Sequence, residues 1–184
     1  MPRFVFPSLA FIAVIGHLAA SEPPPLLKRP LVGGADEVVA YAARRAAEAE
    51  RNLAMGREFV ANDAQLPGAI PLPSGAHYRV IASGPAGGLP PGPKTIVTVN
   101  FSARTLRGEI AYDSRAAGHP SAFRYADGFP VWRECLPLMR PGDRWQIVAP
   151  GPLAYGYNGY QPHVGPQEAI VFDLELVGYV PAGR

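Results

Sequence analysis

A chain of 184 residues has room for one well-packed domain and an appendage, too few for two domains of the usual roughly 100–150 residues. Hydrophobic content of 48% with a mean hydropathy near zero excludes disorder throughout, while 22 Pro and 20 Gly cut the chain into short elements. The 17 Lys and Arg are interspersed with 15 Asp and Glu, so no basic tract offers a nucleic-acid surface; the single Cys135 excludes an intrachain disulfide, a Cys/His zinc cluster and a redox pair.

Residues 1–20 read as a signal peptide. Arg3 supplies positive charge, Phe4 to Ala20 is mostly apolar, and Ala19, Ala20 and Ser21 form a small-residue cleavage region. Pro7, Gly16 and His17 argue against a stable span, which needs about 20 apolar residues, although an uncleaved anchor is the alternative. Residues 21–35, with Pro23, Pro24, Pro25 and Pro30, read as an extended tether because proline lacks the N–H a helix requires.

A helical lead-in is expected over 36–66: Asp36 can cap a helix running from Glu37 to Asn62, which holds no proline. Its residues Val39, Ala42, Ala46, Ala49, Leu53, Gly56 and Val60 recur at steps of three and four and so form one stripe. That stripe needs a partner, either the chain's own domain or a second copy. Pro67-Gly68 and Pro71 to Gly75 end the helical region. Strands are expected at His77 to Ile81, Thr95 to Thr105, Ile110 to Asp113, Arg144 to Ala149 and Ala169 to Tyr179, the last with Ile170, Phe172, Leu174 and Leu176 on one face. Pro130 to Met139 reads as a short helix, with Pro137 an awkward guest. Gly92-Pro93-Lys94-Thr95 is no phosphate loop, since proline removes an N–H that phosphate would need.

This order, with its aromatic-Asp-Ser turn, short Trp-bearing helix and Ala-Tyr-Gly loop, resembles the FKBP family. The matching stretches are Val99-Asn100-Phe101 (Val-x-Tyr in the family), Tyr112-Asp113-Ser114 (Phe-Asp-Ser), Gly118-His119-Pro120 before Phe123, and Trp132 followed by Leu136 and Met139. Pro150 with Leu153-Ala154-Tyr155-Gly156 and the run Ile170 to Leu176 complete a set spread over about 85 residues in family order. Upstream, Phe59 to Asn62, Leu72-Pro73-Ser74-Gly75 and His77 to Val80 are similar to the lead-in of exported bacterial FKBPs of the macrophage infectivity potentiator group, where a helical region often dimerises.

The resemblance implies an α+β fold, an antiparallel half-barrel sheet wrapped around a short helix and preceded by an N-terminal helix, with the isomerase domain at 72–184. It implies a peptidyl-prolyl cis-trans isomerase that assists folding of exported proteins, located in the periplasm and needing neither metal nor cofactor. Its implied partners are proline-containing polypeptides, the macrolide inhibitors of the family and a second copy bound through the N-terminal helix; nucleic acid is not among them. The implied substrate-binding residues are Phe101, Phe129, Trp132 as the floor, Val164 and Phe172, and the implied catalytic residues are Asp113, Tyr155 and Tyr112. The backbone N–H of Phe129 would anchor a substrate carbonyl.

Such a site suits the chemistry. The planar X-Pro amide is more charge-separated than the twisted one, so a dry apolar pocket favours the twisted form, and lowering the barrier by about 7 kcal/mol gives roughly a 10⁵-fold acceleration. Taken singly, each aromatic reads as core and Asp113 as a turn residue. Departures from the family pattern are Tyr112, Gly128-Phe129, Val131 before the Trp, and one residue inserted between Gly108 and Asp113. A non-catalytic peptide-binding module on the same fold stays open, its sticky surface supplied by Tyr155 to Tyr160. A hydrolase using Asp113, Glu134 or Asp143 has no motif behind it, and His77, His119 and His163 match no ligand spacing.

Overall fold

The computed structural model describes residues 34–181; the signal peptide expected at 1–20 and nearly all of the tether lie outside the described residues. The alanine-rich stretch forms helix α1, Ala35–Asp63, slightly longer at both ends than its pattern indicates. Asp36 does not cap it. Gly34 stands at the N-cap without a side-chain bond, and Asp36 and Glu37 fall inside the first turn, where carboxylates favour the positive end of the helix dipole.

Seven strands follow: β1 Ile70–Pro71, β2 His77–Ala82, β3 Thr95–Thr105, β4 Ile110–Asp113, β5 Ser121–Arg124, β6 Arg144–Ala149 and β7 Ile170–Pro181. They form one antiparallel sheet in the order β1-β2-β6-β7-β3-β4, with β5 also on β3. Strand β3 is the axis: β7 runs along one edge, while β4 and β5 share the other, pairing with Ser102–Arg104 and Ile96–Val99 respectively. The pairing of β3 with β4 slips by one residue, since Ala103 faces Tyr112 and Arg104 faces Ile110. Ala111 is therefore a bulge, beyond which Tyr112 and Asp113 pair with Ala103 and Ser102.

The expected helix Pro130 to Met139 is instead helix α2, Pro130–Cys135, followed by a 3-10 turn at Leu136–Leu138. Pro137 has no N–H to give an α-helical bond, so the chain tightens there. Against α2 the sheet turns its apolar face. On β3 the residues Val97, Val99, Phe101 and Ala103 are buried, and on β7 Ile170, Phe172, Leu174 and Leu176, all clustering with Val131, Trp132, Cys135 and Leu136. Each large apolar side chain so buried contributes about 1.5–3 kcal/mol, which holds the sheet curved around the helix.

The stripe on α1 divides. Ala49, Gly56 and Val60 are buried, whereas Val39 is 67% exposed and Ala42 and Ala46 are exposed too. Gly56 lets the helix approach closely, because a Cβ there would stand 3.0 Å from the Cβ of Ala169. At its end the Asp63 carboxylate bonds His77 Nε2 at 2.7 Å and Arg79 Nη1 at 2.6 Å, and its carbonyl accepts from Arg79 Nη2 at 2.6 Å. Burial pushes the Asp63 carboxyl up, but the bonds and charges of His77 and Arg79 outweigh it and hold it below the usual value.

Candidate functional site

Pro130 occupies the first helical position, where its missing N–H costs nothing, and so sets Trp132 into the core at 1% exposure. Aromatic rings from four elements or loops meet that indole. Phe101 of β3, Phe172 of β7 and Phe129 stand edge-on to it at 4.8, 5.3 and 4.7 Å between centroids, and Phe123 of β5 lies tilted at 5.5 Å. Tyr112 of β4 stacks on Phe101 at 4.7 Å. Tyr155 enters from the loop after β6, 4.8 Å from Phe129 and 6.5 Å from Phe172. Val164, fully buried in the same core cluster, completes the set. The aromatic and apolar residues expected at the site are thus assembled in one place, and Asp113 follows Tyr112 at the end of β4.

The partly buried Phe129 ring touches those of Trp132, Tyr155 and Phe172 at once, at 4.7, 4.8 and 5.1 Å, and so covers part of the surface they present. Concavities of about 110 Å³ and 270 Å³ lie elsewhere, the first between α1 and Pro150–Pro152, the second beside Phe59, Arg104 and Asp173.

Two donors at the site lack partners among the described residues. The Phe129 carbonyl accepts from the N–H groups of Trp132 and Arg133, but its own N–H meets no acceptor. The Tyr155 O–H is likewise free of any hydrogen bond, and burial pushes its phenol above the usual tyrosine value, with Tyr160 and Tyr112 adding to the effect. It therefore stays an uncharged donor at neutral pH. Tyr112 O–H stands 3.4 Å from Ser121 Oγ, a long contact.

Asp113 does what its turn position demands and keeps something in reserve. Its Oδ1 accepts from the N–H groups of Arg115 at 2.8 Å and Ala116 at 3.3 Å, while Oδ2 takes part in no bond among the described residues. Where the family pattern has a tyrosine, Phe101 brings no hydroxyl. The Arg115 guanidinium is drawn instead to Glu175.

Several positioning groups escaped the sequence. Ser114, fully buried, clips the Asp113 turn to β3: its Oγ accepts from Phe101 N–H at 2.9 Å and its N–H donates to Phe101 O at 2.9 Å. Only its place after an aromatic-Asp pair could have pointed to it. Tyr160 stacks on Tyr155 at 5.6 Å. From α1, Arg45 Nη2 donates to the carbonyls of Tyr157 and Asn158 at 3.0 and 2.6 Å, and Asn52 Nδ2 to that of Pro166 at 2.8 Å. The lead-in helix thus grips the loop that carries Tyr155 and Val164. Nothing in a helical pattern announces such contacts, which span more than a hundred residues.

The groups weighed for other chemistry are dispersed. Asp143 accepts from Gly84 N–H at 2.7 Å and Arg140 N–H at 2.9 Å, and Glu134 from Ser74 N–H at 3.3 Å, each tying a loop. His77 is bound to Asp63, His119 lies by the carbonyl of Pro120, and His163 packs near Tyr160. Burial pushes the Cys135 thiol up to about 12, which leaves it inert.

Residues 88–177 match the family profile described as FKBP-type peptidyl-prolyl cis-trans isomerase. The outer membrane protein MIP of Legionella longbeachae is 34% identical over 139 residues, 73% of this chain and 59% of that protein. The macrophage infectivity potentiator of Trypanosoma cruzi is 35% identical over 130 residues, 71% of this chain and 66% of that protein. The chain thus spans less than two thirds of the length of such curated relatives. The crystal structure of FkpA from Escherichia coli superposes with a TM-score of 0.69 at 27% identity, covering 86% of this chain and 78% of that one. Sequence, fold and the ordered aromatic set agree: residues 88–177 form a domain of the FKBP-type peptidyl-prolyl cis-trans isomerase family.

Proposed function

We propose that this chain catalyses cis-trans isomerisation of X-Pro bonds in polypeptides, with 72–184 as the catalytic domain. The observation that carries this is the pair of unpartnered donors, Phe129 N–H and Tyr155 O–H, beside an aromatic group floored by Trp132. The donors would hold carbonyls of an extended peptide while the rings exclude water. Inside, the charge-separated planar amide loses solvation that the twisted one needs less, so the barrier to rotation falls. Asp113 would stand near the turning carbonyl, oriented by its turn bonds, and Tyr112 would line the entrance. Phe101, Val164 and Phe172 would form the walls.

The test is NMR exchange spectroscopy on a panel of short X-Pro peptides. Acceleration by catalytic amounts of protein is expected. Binding without acceleration would assign the chain to the non-catalytic peptide-binding modules instead, and neither effect would remove the proposal.

The same reading extends to location and assembly. Export to the periplasm through cleavage near Ala20 is checked by the N-terminal mass of the mature chain. A homodimer through the exposed face of α1 around Val38, Val39 and Tyr41 is checked by light scattering. The macrolide inhibitors of the family would compete with peptide for the aromatic site.

A further inference from the structure

The centroid of the Phe129 ring lies 4.7 Å from that of Trp132, 4.8 Å from Tyr155 and 5.1 Å from Phe172. Aromatic rings in van der Waals contact have centroids roughly 4.5–7 Å apart, so all three neighbours touch it at once. Tyr155 and Phe172 are themselves 6.5 Å apart, and the Phe129 ring contacts both of them and the floor. A five-membered prolyl ring seated on Trp132 and against Tyr155 and Phe172 would compete with the Phe129 side chain for contact with the same three rings.

We infer that Phe129 is a gate: its side chain occupies the prolyl subsite in the free protein and swings out when a proline-containing peptide enters. This rests on the isomerase reading and adds to it a residue that sets affinity. Its surroundings fit a moving ring. Phe129 is only partly buried, unlike Trp132 and Phe172, and it belongs to the turn between the 3-10 segment Tyr125–Asp127 and α2 rather than to either. The chain on either side is pinned, by Gly128 N–H to Tyr125 O at 3.3 Å and by Trp132 N–H to Phe129 O at 2.9 Å. A χ1 rotation can thus carry the ring away while the Phe129 N–H stays where it can hold a peptide carbonyl.

The consequence is a self-competing site. Apparent affinity falls by the fraction of molecules with the gate open, so a gate open in about one molecule in ten weakens binding about tenfold. Opening also uncovers the floor. Trp132 Nε1, buried with no acceptor among the described residues, then becomes a reporter of what replaces the ring.

The experiment compares the full chain with Phe129→Val and the milder Phe129→Leu, using NMR exchange on an X-Pro peptide together with titration of the Trp132 indole N–H resonance. Urea midpoints establish that each variant is folded. Expected is a KM for the Val variant lowered about tenfold, a smaller fall for Leu, kcat held or raised, and a Trp132 indole shift at correspondingly lower peptide concentration. A silent wild type with an active Val variant overturns the gate, since the ring then blocks the subsite without swinging out. An active wild type whose two variants bind no tighter, or more weakly, overturns it and leaves Phe129 as an ordinary wall of a working isomerase. Absence of both turnover and Trp132 shift in all three chains overturns the gate and the isomerase reading together.

Discussion

Asp113 is where a structural role and the proposed catalytic role meet in one side chain. One oxygen is committed to the N–H groups of Arg115 and Ala116, so Asp113→Ala is expected to cost about 1–2 kcal/mol of stability, the worth of one or two such bonds. The other oxygen is free to act on substrate, and the same variant is expected to lose about tenfold in kcat/KM, or ~1.4 kcal/mol of barrier lowering. Asp113→Asn separates the two, since its amide oxygen can still accept the turn bonds while the charge is gone. Rates per folded molecule, from exchange spectroscopy with urea melts alongside, decide the matter: intact turnover in both variants makes Asp113 purely structural. Trp132 stands at the other extreme. Packed against Phe101, Phe129 and Phe172, it should cost around 3–5 kcal/mol when truncated to Ala, as large-to-small core changes do, read as a drop in urea midpoint.

Among the elements, α1 is the one whose role changes most between pattern and fold. Through Arg45 and Asn52 it holds the backbone of Tyr157, Asn158 and Pro166, and its Asn52 Nδ2 and Glu48 Oε1 come so close to Gly165 that a Cβ there would stand 2.8 Å from both and push those side-chain ends aside. The double variant Arg45→Ala, Asn52→Ala is expected to raise KM severalfold with kcat nearly unchanged, and to lose hydrogen-exchange protection in 156–168. Unchanged protection there would show that α1 does not steady the loop. At the other end of the helix, the Asp63 carboxyl is depressed by His77 and Arg79, so its contribution is complete above the unfolded value of about 3.8 and is lost as pH falls below it through the folded value. Urea midpoints between pH 5 and pH 3 should therefore fall more steeply for the wild type than for Asp63→Asn, which starts lower and runs flatter.

At the scale of the molecule, the question is how far the domain depends on its lead-in. The main core, from Leu72 to Leu176, draws on no residue of α1, so a chain lacking 34–66 is expected to fold. It should nevertheless lose about 2–3 kcal/mol, because His77 and Arg79 are left without Asp63 and Ala169 without Gly56; equal urea midpoints would show that docking adds nothing to stability. Strands β3, β4 and β6 and the inward face of β7 were legible in order and phase, since alternation and β-branched residues act locally and a half-buried strand has a period of two. So was the aromatic set, because its members mark successive elements in a recognisable order. The two-residue β1, too short to show a period, and β5, whose Ser121–Arg124 holds no β-branched residue, were not; each is defined by its pairing with a neighbouring strand. The stripe of α1 announced an apolar face but not its partner. That its lower half meets Ala169, that its polar side chains clamp a loop more than a hundred residues away, and that the Phe129 ring touches Trp132, Tyr155 and Phe172 at once depend on distances between segments far apart in the chain, which are fixed by tertiary packing.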